Sequence, residues 1–292
     1  MSTLAEHAAG QVAARARRAL WPSGHTAVMG IVNVTPDSFY DGGRCQTVDA
    51  ALAHARRLLA EGADLIDVGG ESTRPGARPV PAAEERARVL PVIAAVRAAT
   101  DLPISIDTTK AEVAAAALAA GADIVNDVSA GRFDAAMLPL VAERGAGIVL
   151  MHMHGTPATM QDAPAYDDVV AEVRAFLAER AAAARAAGIA ADRIVVDPGI
   201  GFGKRLEHNL ALLAHLGRLA ELGFPVAVGT SRKAFLGTLT GDPPAERLAA
   251  SIAAAVLAAA RGARILRVHD VAATKRALAV AEAIAGARRE TH

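Results

Sequence analysis

The stretch MGIVNVTPDSFYDGG, from Met29 to Gly43, is an apolar run that ends at Asn33 and opens into a polar loop rich in glycine. This order is typical of an α/β barrel, in which a buried strand delivers a polar side chain to the loops at its carboxyl end. Four later segments repeat the design: DLIDVGGESTRPGA from Asp64, ISIDTTK from Ile104, IVVDPGIGFGK from Ile194 and VAVGTSRKAF from Val226. The repeated pattern predicts several βα units that share one face.

Apolar runs alternate with stretches of helical period along the chain, which predicts βα units around a parallel sheet. Strands are expected near residues 27–33, 64–69, 103–107, 123–127, 147–152, 193–197, 225–230 and 264–268. The phrases EGADLID, AGADIVN, RGAGIVL and RGARILR each place a glycine where a helix should end and a buried strand should begin. The predicted fold class is α/β: a single (β/α)8 TIM barrel over residues 26–288, with a short N-terminal extension over residues 1–25.

The composition suits one large domain without a nucleic-acid or membrane partner. The chain has 292 residues, of which 52% are hydrophobic, and this suffices for a single barrel of about 250 residues. Its 31 basic and 31 acidic residues balance, so the protein lacks the field that nucleic-acid and membrane-surface binders use. Any affinity for anions must therefore come from a local cluster of basic residues and not from the net charge of the protein.

Three features predict a cytoplasmic protein. Cys45 is the only cysteine, which excludes an internal disulfide and suits a reducing compartment. The N-terminus is rich in alanine and charge, and lacks the hydrophobic segment of a secretory signal. The longest apolar run, ASIAAAVLAAA from Ala250, is shorter than the ~20 residues that cross a bilayer. We expect it to be a packed helix.

Three polar side chains end predicted strands: Asp107, Asn126 and Asp197. The carboxyl ends of barrel strands face one bowl, so these side chains can converge on one ligand. A carboxylate can accept two hydrogen bonds from a ligand edge that resembles a guanidinium group. An amide can pair with a ligand edge that carries both donors and acceptors. Taken singly, Asp107 could instead cap a helix from Thr109, and Asp197 could shape a turn at Pro198. Three such residues on nearby strands favour a ligand site.

A second group of side chains can donate to an anion: Arg74, Ser231, Lys233, Arg267 and His269. The last four follow predicted strands seven and eight, where barrels often hold a phosphate. Arginine offers a bidentate fork, lysine a point charge, and histidine a proton that can follow a leaving group. Isolated basic residues are usually solvated, but SRK at 231–233 followed by RVHD at 267–270 favours anion binding.

Taken in order, these segments resemble the dihydropteroate synthases, and the resemblance runs from about Met29 to Val271. It implies a pterin-binding TIM barrel and a transferase of folate biosynthesis. The implied reaction condenses 6-hydroxymethyl-7,8-dihydropterin diphosphate with 4-aminobenzoate, giving 7,8-dihydropteroate and diphosphate. A homodimer through the last helices is also implied, and the alanine-rich faces at 245–261 permit close helix packing.

The resemblance further implies a role for each candidate residue. The dihydropterin pocket is formed by Asp107, Asn126, Asp197, Met151 and Lys233. The diphosphate is held by Arg267, His269 and Asn33. Mg²⁺ is the implied cofactor, bound by Asn33 and phosphate oxygens. The residues that contact 4-aminobenzoate are Thr73, Arg74, Pro75, Ser231, Phe39 and Phe202; the alternative for the two phenylalanines is burial within their own loops. The implied catalytic residues are Asp107, Lys233, Arg267 and His269.

In the implied mechanism, diphosphate leaves before the new bond forms. Mg²⁺, the arginines and His269 stabilise the leaving group, while Asp107 and Asp197 stabilise the cationic methylene. The aniline nitrogen is already nucleophilic, so the protein mainly orients two ligands and excludes water. The loops 34–46 and 71–81, rich in glycine, proline and small polar residues, are the expected lids.

Other interpretations compete with this one. His152 and His154 form an HxH pair that can hold a metal, as in an amidohydrolase, although that enzyme needs further ligands at other strand ends. The GIGFGK run from Gly199 resembles a phosphate loop but lacks the spacing, which favours a structural turn. Folate-binding methyltransferase barrels share the Asp and Asn strand ends, but have little use for TRPG, SRK and RVH together. A binding-only homologue would depart at ESTRPG or SRK, and both are intact.

Overall fold

The computed structural model describes residues 19–22, 24–34, 44–73 and 76–287. Within them, eight parallel strands close into a barrel whose hydrogen-bonded order follows the chain, and the first strand pairs with the last. The strands are β1 Ala27–Asn33, β2 Leu65–Gly69, β3 Ile104–Asp107, β4 Ile124–Asp127, β5 Gly147–Met151, β6 Ile194–Asp197, β7 Val226–Val228 and β8 Ala263–Val268. This closed sheet confirms the predicted (β/α)8 TIM barrel.

Helices surround the barrel and alternate with the strands. The described helices are α1 Arg44–Ala60, α2 Ala82–Ala99, α3 Ala111–Ala120, α4 Met137–Arg144, α5 Val169–Ala186, α6 Leu206–Ala214, α7 Leu216–Ala220, α8 Ala234–Thr240, α9 Leu248–Ala260 and α10 Val271–Ala287, with a 3₁₀ turn at Ala191–Arg193. The apolar run from Ala250 lies in α9, as predicted. In the part of the chain that the structure describes, no helix combines the length and apolar character required to span a membrane.

The strands are apolar because both of their faces are covered. Every residue of β2 to β7 is buried, since helices cover the outside of the sheet and side chains fill the inside. The glycine that precedes β4 ends α3 as predicted. Gly121 has φ 119°, and its N–H donates to the last carbonyl groups of the helix.

Two predicted boundaries differ from the structure by two residues or more, whereas the other strand ends agree within one residue. Strand seven was expected over 225–230 but ends at Val228, because its pairing to β6 is limited to Val226 and its register against β8 shifts after that residue. Residues 229–231 therefore form a loop. The first expected lid, 34–46, is also shorter, since α1 begins at Arg44. Residues 35–43 lie outside the described part of the chain.

The end of the predicted extension, residues 1–25, lies against the base of the barrel. Leu20 is 2% exposed and packs with the inward-facing side chains of seven strands. A Cβ atom on Gly147 would lie 2.5 Å from Cδ1 of Leu20. The indole N–H of Trp21 donates to the carbonyl group of Asp192 at 3.0 Å. Leu20 and Trp21 thus close the amino-terminal end of the barrel.

Candidate active site

The carboxyl ends of the strands form one cleft of about 510 Å³, a volume that includes space open to solvent. Ten predicted site residues line it: Thr73, Asp107, Asn126, Met151, Asp197, Phe202, Ser231, Lys233, Arg267 and His269. Its other lining residues are Ile31, Val128, Gly199, Ile200 and Gly229. The remaining predicted contacts, Phe39, Arg74 and Pro75, lie outside the described residues.

Asp107 ends β3 and faces Arg267 across the barrel. Its Oδ2 atom accepts a hydrogen bond from Nη2 of Arg267 at 2.8 Å. The alternative interpretation, a helix cap, is wrong, because α3 begins only at Ala111, after Lys110, and has no side-chain cap. Asp107 is therefore a cleft residue.

Asp197 ends β6 and serves both functions considered from the sequence. Its Oδ1 atom accepts a hydrogen bond from the N–H of Gly199 at 2.7 Å, which stabilises the turn after Pro198. The same side chain also lines the cleft. The turn thus holds the carboxylate in a defined orientation toward a ligand.

Burial makes both carboxyl groups unusually basic. It raises the pKa of Asp197 to about 6, although the hydrogen bond from Gly199 and nearby lysines oppose the shift. Burial also raises the pKa of Asp107 to about 7, against the opposing charge of Arg267. A ligand that brings hydrogen-bond donors would stabilise the ionised form of each group.

A third carboxylate, Asp67 in β2, is missing from the predicted site. It is fully buried, and its Oδ2 atom accepts hydrogen bonds from Nε of Arg267 at 2.6 Å and from Nδ2 of Asn126 at 3.3 Å. The signal in the sequence is an acid inside the apolar run LIDVG, two residues after Leu65 and on the same face of the strand. Asp67 orients two of the predicted ligand-binding side chains.

Lys233 lies against the aromatic ring of Phe202. Its Nζ atom is 4.1 Å from the ring centroid, a cation–π distance. Burial and the neighbouring charge of Arg267 lower the pKa of Lys233 to about 8, while Asp197 and Asp107 oppose the shift. The group of residues predicted to bind a heterocycle and the group predicted to bind an anion therefore meet in one cleft.

The SRK segment makes a strained turn that presents its outer residues to the cleft. Arg232 has φ 58°, which is rare for a residue other than glycine. Two interactions of Arg232 hold this turn. Its backbone N–H donates to Oγ of Ser251 at 2.9 Å, and its guanidinium group donates to the carboxylate of Asp270 at 2.7 and 3.1 Å. Ser231, before it, accepts a hydrogen bond from the N–H of His269, and its Oγ lies 3.0 Å from Nδ1 of that histidine.

The GIGFGK run is a structural turn, as predicted. Gly199 has φ 67°, and a Cβ atom there would lie 1.9 Å from the carbonyl oxygen of His152, so no other residue fits. The turn carries Phe202 to the wall of the cleft.

The HxH pair does not form a metal site in this fold. Nδ1 of His152 lies 2.9 Å from the ammonium of Lys204, and both side chains are buried. Burial, followed by the charge of Lys204, lowers the pKa of His152 to about 2. The lysine thus engages a nitrogen that a metal would use. Among the described residues, no three His, Cys, Asp or Glu side chains cluster in a way that could hold a metal.

Asn33 ends β1 beside Asp107. A Cβ atom on Gly69 would lie 3.8 Å from Oδ1 of Asn33 and 3.7 Å from Oδ2 of Asp107, so both oxygens border the same glycine. An amide oxygen at this place fits Mg²⁺, which commonly takes one or two protein ligands and completes its shell with phosphates and water.

Known proteins match this chain over most of its length. The family model described as "Pterin binding enzyme" matches residues 29–269. The dihydropteroate synthase of Neisseria meningitidis serogroup B is 54% identical over 263 residues, which cover 88% of this chain and 92% of that protein. A solved Xanthomonas albilineans dihydropteroate synthase with 4-aminobenzoic acid has 58% identity and a TM-score of 0.84, covering 89% of this chain and 93% of its own. Another, in complex with 7,8-dihydropteroate, has 54% identity and a TM-score of 0.81, covering 89% and 94%.

The family match includes the whole site. Residues 29–269 extend from β1 to just beyond β8 and contain every residue that lines the cleft. The fold, the cleft and the similarity over most of the chain agree. The chain belongs to the dihydropteroate synthases, the pterin-binding transferases of folate biosynthesis.

Proposed function

We propose that this cleft condenses 6-hydroxymethyl-7,8-dihydropterin diphosphate with 4-aminobenzoate through the residues that line it. One observation carries the proposal: Asp107, Asn126 and Asp197 face the same cleft as Lys233 and Arg267. A heterocycle with a donor edge and an anionic tail needs acceptors and cations side by side. This cleft supplies both.

The pterin edge is recognised by Asp197 and Asn126 in this proposal. Because Nδ2 of Asn126 donates to Asp67, the amide oxygen remains to accept from the pterin. The carboxylate of Asp197 accepts from the 2-amino group and a ring N–H. Met151 and Lys233, which line the same cleft, pack against the ring.

The diphosphate lies toward Arg267, His269 and Asn33. Asp67 and Asp107 engage Nε and Nη2 of Arg267, so Nη1 is the nitrogen directed to a phosphate oxygen. If the hydroxyl group of Ser231 donates to Nδ1 of His269, the imidazole carries its proton on Nε2 and can donate it to a diphosphate oxygen. Asn33, together with the diphosphate, would hold Mg²⁺, and the ion would supply positive charge that stabilises the leaving oxygens.

The bond between the pterin methylene carbon and the diphosphate oxygen breaks first, and its electron pair leaves with the diphosphate. Asp107 and Asp197 stabilise the cationic methylene. The apolar side chains of Ile31, Val128 and Ile200 line the same cleft and exclude water. The amine of 4-aminobenzoate, packed against Phe202 and near Thr73, then attacks the methylene and passes one proton to the released diphosphate.

Diphosphate release tests this proposal directly. With both substrates we expect release that depends on Mg²⁺ and forms an equal amount of dihydropteroate. Lys233→Ala and Arg267→Ala should reduce it severely, whereas Arg264→Ala should not, since Arg264 lies on β8 with an exposed side chain. Release without dihydropteroate, or binding of the pterin substrate without any release, would contradict the proposal.

We further propose a homodimer through the last helices. Five large hydrophobic side chains are between 43% and 61% exposed on α8, α9 and α10: Leu239, Leu248, Leu257, Val280 and Ile284. Exposed apolar surface of this kind commonly marks a protein interface. Light scattering after gel filtration should give twice the 29.9 kDa chain mass. Leu257→Glu combined with Ile284→Glu should give monomers, and Leu210→Glu, an exposed position on α6, should not.

We also place the protein in the cytoplasm. The single cysteine supports this location, since cytoplasmic proteins rarely rely on disulfide bonds. Cell fractionation followed by immunoblotting would test it, and recovery of the protein from a secreted or membrane fraction would contradict it.

A further inference from the structure

Three charged side chains meet behind the loop that follows β2, outside the cleft. Lys110, directly before α3, places Nζ 2.6 Å from a carboxylate oxygen of Glu85 and also contacts the carboxylate of Glu71. Glu85 lies on α2 and is fully buried, and Glu71 begins the ESTRPG segment. We call Glu71, Glu85 and Lys110 the anchor cluster. It joins the start of the loop to two helices.

Glu71 also joins the two ends of this loop. Its Oε1 atom accepts a hydrogen bond from the N–H of Val80 at 3.0 Å, while Oε2 contacts Lys110. Next to it, Nη1 of Arg88 donates to the carbonyl oxygen of Gly70 at 2.8 Å. One carboxylate therefore closes the loop at its base, and Lys110 holds that carboxylate in place.

The cluster holds three charged side chains that are mostly buried. Although burial lowers the pKa of Lys110, hydrogen bonds to Glu71 and Glu85 raise it above its usual value, so the amine stays charged. Atom Oε1 of Glu85 is buried without a hydrogen-bond partner among the described residues. Buried ion pairs often stabilise a fold no better than apolar side chains of similar volume. A positioning function explains why charges occupy this place.

The position of Glu71 restricts that of Thr73, which lines the cleft. Two residues of chain span at most about 7 Å, so a fixed Glu71 confines Thr73 to one part of the wall. We propose that Lys110 is a positioning residue that acts through Glu71 to set Thr73 in the 4-aminobenzoate subsite. This inference rests on the proposed function of the cleft.

Lys110→Met is the first test, since it keeps most of the length of the side chain and removes its charge. We expect the KM for 4-aminobenzoate to rise about tenfold, while kcat and the KM for the pterin diphosphate stay within about twofold. Hydrogen exchange of the described loop ends, 71–73 and 76–80, should become faster. Lys110→Arg should restore both measurements toward the wild-type values.

Two further variants control for folding. Arg86→Met removes a cation that lies 3.2 Å from Glu112 and links the same helices, α2 and α3, away from the loop; it should leave both KM values unchanged. Glu71→Gln keeps an acceptor for Val80 but removes the charge that Lys110 contacts, and should reproduce the selective KM effect even if Lys110→Met does not fold.

The outcomes separate this inference from the proposed function. Equal increases in both KM values, or a wild-type KM for 4-aminobenzoate in Glu71→Gln and Lys110→Met, would overturn the positioning role. A wild-type chain that forms no dihydropteroate would instead refute the proposed function. Faster loop exchange in Lys110→Met, without a change in the Arg86→Met control, would support the anchor independently of activity.

Discussion

Two layers of side chains inside the barrel differ in chemistry, although the same strands supply them. The base layer consists of Met29, Leu65, Ile124, Val149, Val195, Ala227 and Ile265. The cleft layer lies two residues further along those strands and consists of Ile31, Asp67, Asn126, Met151, Asp197, Gly229 and Arg267. Residues i and i+2 of a strand point to the same side. A step of about 7 Å along the strands thus separates an apolar core from a charged cleft.

The comparison teaches that stability and function are concentrated at opposite ends of one scaffold. The base layer is apolar and buried, and Leu20 closes it. In the cleft layer, burial shifts the pKa of Asp197, and beside this layer it shifts the pKa of Asp107 and Lys233. Shifted pKa values of this kind cluster at functional sites. Substitutions at the two ends should therefore have separable effects.

The largest effect is expected in the cleft, from Lys233→Ala. The value of kcat/KM should fall about 10²–10³-fold, as on removal of one group that stabilises developing charge. The melting temperature should change little, because burial already disfavours the charged form of this lysine. Steady-state kinetics and thermal unfolding measure the two quantities. A large loss of stability with normal activity per folded molecule would contradict the separation of function and stability between the two ends of the barrel.

The next effect is expected at the base, from Leu20→Ala. Its fully packed side chain leaves a cavity, so the free energy of unfolding should fall by about 3 kcal/mol. The kcat of the folded protein should not change. Denaturant unfolding and kinetics measure these quantities, and Leu102→Ala, at an exposed position, is the control. A selective fall in kcat would show that the base also shapes the cleft.

A smaller effect is expected from Gly147→Ala, which overfills the same base. The added methyl group would lie 2.5 Å from Cδ1 of Leu20, and such overpacking costs about 2 kcal/mol. Combining it with Leu20→Ala should cost less than the sum, since the new methyl group occupies part of the space that is vacated. Additive losses in denaturant unfolding would contradict the contact between Leu20 and β5.

The smallest effect is expected from pH. Burial raises the pKa of Asp197 to about 6 and that of Asp107 to about 7, and pterin donors bind the ionised carboxylates. Affinity for the pterin substrate should be full only well above pH 7. It should fall as the pH drops through 7, where Asp107 is protonated, and then through 6, where Asp197 is protonated, by at most about tenfold per pH unit for each group. Calorimetry in buffers of different ionisation enthalpy should show proton release on binding. Asp197→Asn should remove the decrease in affinity near pH 6. An affinity that does not change with pH would contradict the raised pKa values of the two carboxyl groups.

The eight strands and their shared cleft were predictable from the sequence because their signals are local. An apolar run that ends in a polar residue marks the carboxyl end of a barrel strand, and Asp107, Asn126 and Asp197 each carry that signal. The glycine before β4 marks the end of a helix for a similarly local reason. Such patterns depend on neighbours a few residues away and need no knowledge of distant contacts.

Contacts across the barrel were not predictable in this way. Asp67 pairs with Arg267 across 200 positions of sequence, and Leu20 closes a base formed by strands spread over the whole chain. The sequence by itself determined the order of elements, the barrel and the face that carries the site, because hydrophobic periodicity and strand-end chemistry are local. Only the tertiary structure decided which acid holds Arg267, which lysine contacts His152 and which residues close the base, because closure of the sheet brings those partners together.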